Sequence, residues 1–142
     1  ITNYVILSGS MKSMIDTCEC SKQVDRIIDN LKNISYNTSN ATKDIVKLLK
    51  EIDNKYDDSL IYNFFENIND AFKILPYGYY LSIIILDVKN SSQILRSPLL
   101  HYTYKVSVSS DNSFSYHYES KDITTAVVIC SLHSLKNKLK YS

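Results

Sequence analysis

Three histidines and three cysteines are the side chains of this sequence with the widest chemical reach. Cys130 and His133 stand three residues apart in the run ITTAVVICSLHSL, a spacing that in a helix brings thiol and imidazole to one side. A cysteine inside so apolar a run is nevertheless expected to be an inert core thiol. Cys18 and Cys20 form a C-x-C pair whose members point about 200° apart on a helix, and no further Cys/His pair stands near them to complete a tetrahedral metal set. The odd cysteine count leaves at least one thiol free, and a reducing compartment is the default expectation. Asp57-Asp58 has the form of a helix cap, not of a metal pair. Only two glycines occur, Gly9 and Gly78, so neither a phosphate-cradling loop nor a dinucleotide fingerprint can be built. No catalytic motif is complete. The sequence predicts a non-enzymatic domain without metal or small-molecule cofactor.

The elements that must position these residues follow from periodicity. Val24, Ile27, Ile28, Leu31 and Ile34 make one apolar stripe of a first helix. The SYNTSN stretch breaks it, because short hydroxyl and amide side chains compete for backbone partners. A second stripe holds Ile45, Leu48, Leu49, Ile52 and Tyr56. A third, capped by Asp57-Asp58-Ser59, holds Ile61, Phe64, Phe65, Ile68, Phe72 and Leu75, and Pro76-Tyr77-Gly78 stops it. Connections of five or six residues favour antiparallel packing of these helices.

After Gly78 the period becomes two. Tyr79 to Val88 is almost continuously apolar, the pattern of a central strand covered on both faces. Residues 89–100 connect it to a second strand, His101 to Ser109, with Tyr102, Tyr104, Val106 and Val108 on one face. Phe114, Tyr116 and Tyr118 alternate in a third. A two-residue Asp111-Asn112 turn would oppose Val108 with Ser115, an inward residue with an outward one. A three-residue loop, Asp111 to Ser113, pairs Val108 with Tyr116, Val106 with Tyr118 and Lys105 with Glu119, and is therefore the register expected. A final helix opens near Ser120–Asp122 and ends in Lys136, Lys138 and Lys140, charges that suit the helix dipole.

The expected class is α+β: three N-terminal helices packed on a small antiparallel three-stranded sheet with a C-terminal helix, in the order α-α-α-β-β-β-α. Residues 11–142 read as one domain, with a helical layer over 13–75 and sheet plus helix over 79–140. Residues 1–10 read as a linker, tag or docked strand: ITNYVIL alternates, and Ser8-Gly9-Ser10-Met11 resembles a joint followed by a start methionine. No window is apolar for long enough to span a membrane as a helix.

His101-Tyr102-Thr103-Tyr104 is similar to the His-hydrophobic-Thr-hydrophobic motif of the 2H phosphoesterases, a resemblance that implies paired histidine acid and base. That family uses two such motifs, and no histidine precedes residue 101 to supply the other. From Asp58 onward the order helix, strand, strand, strand, helix resembles the double-stranded-RNA-binding domain, with Ser120-Lys121 opening the last helix. The resemblance implies phosphate contacts there, yet Asp122 follows Lys121 where the family carries a basic cluster.

Net charge is +1, with 9 basic and 11 acidic residues up to Leu75 and 7 and 4 after it, so no polybasic arm exists. The 12 tyrosines include Tyr102, Tyr104, Tyr116 and Tyr118 on the sheet, rigid amphipathic rings of the kind that protein interfaces favour. His101, His117, Lys105 and Glu119 share the opposite, outward face. These eight residues are the candidate interaction set, and Lys136, Lys138 and Lys140 are a candidate basic cluster. The function expected is a protein–protein interaction module (adaptor, assembly subunit or inhibitor) meeting a protein partner or its own copies. The alternatives are a nucleic-acid-binding domain and a small hydrolase using the outer sheet face. The richness in Ile, Lys, Asn and Tyr suggests an AT-rich genome, a virus among the candidates. An intracellular location is expected, although Asn33, Asn37, Asn40 and Asn90 each stand in an N-x-S/T acceptor sequence that would matter to a secreted protein.

Overall fold

The computed structural model describes residues 19–33, 36–52, 61–86 and 102–141. The expectations for residues 1–10, Cys18, Ile34, Tyr56, Asp57-Asp58, Asn90, the 89–100 connection and His101 lie outside the described residues. Seven elements are described: α1 over 19–31, α2 over Thr38–Ile52, α3 over Ile68–Phe72, β1 over Tyr79–Leu86, β2 over Thr103–Ser110, β3 over Ser115–Ser120 and α4 over Ile123–Tyr141. The class is α+β, with an antiparallel three-stranded sheet and a C-terminal helix. The chain divides into two compact units, one of residues 1–61 and 136–142, the other of residues 62–135.

In the first unit α1 and α2 bury the stripes their periodicity announces. Cys20, Val24, Ile27 and Ile28 are buried on α1, and Ala41, Ile45, Leu48 and Leu49 on α2. The Cys20 thiol at the start of α1 reaches Glu51 Oε2 at the end of α2 at 3.8 Å, so the two helices run antiparallel. Asn37 begins α2 as its cap: its side-chain oxygen accepts from Ser39 N at 2.8 Å and its carbonyl from Ala41 N at 3.2 Å. In the same unit Lys136, from the last turns of α4, pairs with Asp25 of α1 at 2.7 Å.

In the second unit the third helix is much shorter than its stripe suggests. Residues 61–63 are non-helical, 64–66 form a turn, and helix resumes only at Ile68. The buried residues are Tyr62, Phe64, Ala71 and Ile74, while Ile61 is 86% and Phe72 39% exposed. Tyr62 and Phe64 stack with ring centroids 5.4 Å apart. The cause is polar. Asn67, in extended backbone, caps α3 by accepting from Asn69 N at 2.9 Å, and Asp70 Oδ2 accepts from Asn63 N at 3.0 Å. These side chains take the amide hydrogens that a continuous helix would need.

The sheet is a meander in the order β1-β2-β3. Its β2–β3 register is the expected one: Val108 opposes Tyr116, Val106 opposes Tyr118 and Lys105 opposes Glu119. Ser110 N donates to Phe114 O across the three-residue loop, whose last residue, Ser113, has φ +66°. β1 departs from expectation. It lies at the edge of the sheet, not at its centre, and four of its eight residues are large apolar side chains open to solvent. Val106 and Val108 of β2 are fully buried, with α4 on their face, where the Cys130 thiol donates to Val106 O at 3.3 Å. Every residue from Ala126 to Leu132 is fully buried, as an apolar surface on all sides of a helix requires. Asp122 caps α4, its Oδ1 accepting from Thr124 N at 3.1 Å.

Two features can be tested by stability. Gly78 joins α3 to β1 at φ +90°, a conformation that any side chain strains even though open space surrounds the position. Gly78→Ala is expected to lower unfolding free energy by about 1 kcal/mol, and an unchanged denaturation midpoint would overturn this. The backbone N–H of Asn63 and then the Lys73 ammonium hold the Asp70 carboxyl below the usual carboxylate value. A carboxyl depressed on folding adds stability that is complete above the unfolded pKa and lost as pH falls through the folded one. The stability gap between wild type and Asp70→Asn should therefore shrink as pH drops below about 4. A gap of the same size at neutral and strongly acidic pH would count against the assignment.

Candidate interaction surface

The two faces of the sheet are fixed by its registers. On the inner face Leu81, Val108 and Tyr116 form one cross-strand row and Ile83, Val106 and Tyr118 the next. On the outer face the rows are Tyr80–Ser109–Ser115, Ser82–Ser107–His117 and Ile84–Lys105–Glu119. The outer face thus carries an apolar column on β1 beside polar and charged columns on β2 and β3. His117 and Glu119 are exposed and Lys105 half-buried.

The tyrosines separate by environment. Tyr104, Tyr116 and Tyr118 are half-buried on the inner face, and Tyr116 stacks on His133 of α4 with ring centroids 3.8 Å apart. Burial raises the Tyr116 phenol above its ordinary value. Tyr102, just before β2, is 46% exposed. On the outer face Lys105 meets Glu119 and Ser107 meets His117 by register. No hydrogen bond joins the Ser107 hydroxyl to the His117 ring among the described residues.

Sequence reasoning passed over β1 as a surface because it read the strand as interior. Tyr80 is 58%, Ile83 37%, Ile84 51% and Ile85 60% exposed. Tyr80 and Ile84 project from the outer face, and Ile83 and Ile85 from the inner face near its margin. The segment Tyr79–Leu86 has no charged residue and no proline. Edge strands ordinarily carry lysine, proline or a bulge that discourages further pairing. β3, at the other edge, carries Glu119 and His117. The missing charge in β1 is the signal that could have marked it.

The remaining candidates are dispersed or enclosed. α4 is helical through Lys136, Lys138 and Lys140, so Lys138 projects about 160° away from the other two. Lys136 is paired with Asp25. The Cys130 thiol faces the backbone of β2, and burial pushes its pKa up to about 12. His133 turns to Tyr116. A groove lined by Gln23, Arg26, Ile27, Asp44 and Lys47 holds about 100 Å³, below the few hundred Å³ of an organic-ligand site. Among the described residues no three His, Cys, Asp or Glu side chains are grouped to hold a metal ion, and no helix is long and apolar enough to cross a membrane.

Comparison with protein-family models, curated proteins and solved structures finds no match for this chain.

Cys130 provides a direct check on the packing of α4. Iodoacetamide at pH 8 should leave the Cys130 peptide unmodified in native protein and alkylate it in denaturant. Rapid native alkylation at that residue would contradict both its burial and its raised pKa.

Proposed function

We propose that this chain is a non-enzymatic protein-binding module whose binding element is the edge of β1 that no other described strand pairs. One observation carries the reading: an uncharged edge strand holding Tyr80, Ile83, Ile84 and Ile85 in solvent. A strand edge offers a row of backbone donors and acceptors, and pairing with another strand satisfies them while covering the apolar side chains. Lys105, His117 and Glu119 on the adjoining columns of the outer face would form a polar rim, as interfaces commonly have.

The alternatives have less support. For nucleic acid, the start of α4 is occupied by its own Asp122 carboxylate, whose charge opposes a phosphate at that helix end. For hydrolysis, the described residues that the sequence singles out do not form a nucleophile–base pair: Ser107 and His117 share a row without a hydrogen bond, and the Cys130 thiol is buried and hard to ionise. An assembly role, adaptor role or inhibitor role would each use the same edge.

Ile84→Lys places a charge on the exposed outer side of β1 without touching the buried side of the sheet. Immobilised wild-type chain should retain at least one protein, its own copies included, that the variant does not retain. Identical retention by the two chains, with the variant folded by circular dichroism, would sink the proposal.

A further inference from the structure

We infer that the strand that completes the β1 edge is the β1 strand of a second copy, paired antiparallel about a two-fold axis through Ile83 to make a continuous six-stranded sheet. The inference rests on the protein-binding reading above and names its partner.

The hydrogen-bond phase of the sheet defines what the edge offers. Ser110 N donates to Phe114 O, so even-numbered β2 residues direct their backbone groups to β3. By alternation the odd-numbered ones face β1, where their register partners are Tyr80, Ser82, Ile84 and Leu86. The backbone groups of Leu81, Ile83 and Ile85 consequently point away from β2, toward the edge. Tyr79 N is engaged with Pro76 O at 3.4 Å, which ends the available row on that side.

An antiparallel two-fold with its axis normal to the sheet pairs only residues that share a face, so it joins positions of equal parity. With Ile83 opposite its own copy, Leu81 meets Ile85 of the second chain and Ile85 meets Leu81. All three residues with edge-directed backbone groups then fall in hydrogen-bonded pairs, and Tyr79 is not required. Shifting the axis to Ser82 would match Leu81 with Ile83 but leave Ile85 opposite the already engaged Tyr79. The Ile83 register also sets apolar against apolar on the inner face, with Ile83 on Ile83 and Leu81 on Ile85. On the outer face Tyr80 meets Leu86, an aromatic–aliphatic pair, and Ser82 meets Ile84.

Electrostatics permits this self-pairing. No charge lies anywhere in Tyr79–Leu86, so no like charges meet across the axis, and the whole chain carries only +1. The β3 edge lacks this property, since Glu119 and His117 are among its three edge-directed residues. The two edges of one sheet thus differ, and of the two only β1 is uncharged along its whole length.

The test is the mass of the full chain by sedimentation equilibrium across concentration, for wild type and two variants. Ile83→Pro removes an N–H that points to the edge and leaves the β1–β2 bonds of Tyr80, Ser82 and Ile84 in place. Ile85→Lys sets an ammonium opposite Leu81 of the partner and serves if the proline variant fails to fold. Wild type should reach twice the chain mass as concentration rises, and each folded variant should require at least tenfold higher concentration to do so. A dimer indifferent to both substitutions would overturn the inference, as would a wild type that stays monomeric to several hundred micromolar. If that monomer still retains another protein in an Ile84-dependent way, the second-copy inference falls and protein binding stands. If it retains nothing, both fall. A monomer that dimerises only after removal of residues 1–10 would also overturn the inference, in favour of the chain's own ITNYVIL segment on this edge.

Discussion

In a meander of three strands only the middle one is hydrogen-bonded on both sides, and here that place belongs to β2. Its inward residues Val106 and Val108 are closed off by α4, and its backbone is shared with β1 on one side and β3 on the other. The rest of the second unit depends on this arrangement. α4 can be apolar all round because it is enclosed all round, and its Cys130 thiol packs on a β2 carbonyl instead of facing solvent. The arrangement also has a cost. β1, the most apolar strand of the three, must lie outside it.

That displacement links the fold to the functional reading. An apolar strand on a central site would have needed no partner, whereas the same strand at an edge presents both greasy side chains and a row of backbone groups. Among the described residues the chemically active types do not converge in a comparable way. Cys20 and Cys130 are buried, His133 is stacked on Tyr116, and the lysines of the last turns of α4 are spread around a helix.

Several elements could be read directly from residue order. The β2–β3 register was legible because alternation and the Lys105–Glu119 pair exclude the competing two-residue turn. α1 and α2 were legible because each buries one stripe at helical spacing. The long third helix was misread, since the Asp70 and Asn67 side chains accept the amide hydrogens of Asn63 and Asn69 and interrupt the helix after Tyr62 and Phe64. Periodicity counts apolar residues and is blind to such local competition.

The order of residues alone determined the α+β class, the hairpin register, the buried character of α4 and the want of glycine for a ligand loop. These follow from contacts between near neighbours and from how apolar each segment is. Tertiary structure alone decided which strand stands at the edge. A run such as YYLSIIIL states how strongly it prefers to leave water, and says nothing about which neighbours will cover it. Covering depends on the number of strands and on where α4 lies, and both are properties of the assembled sheet.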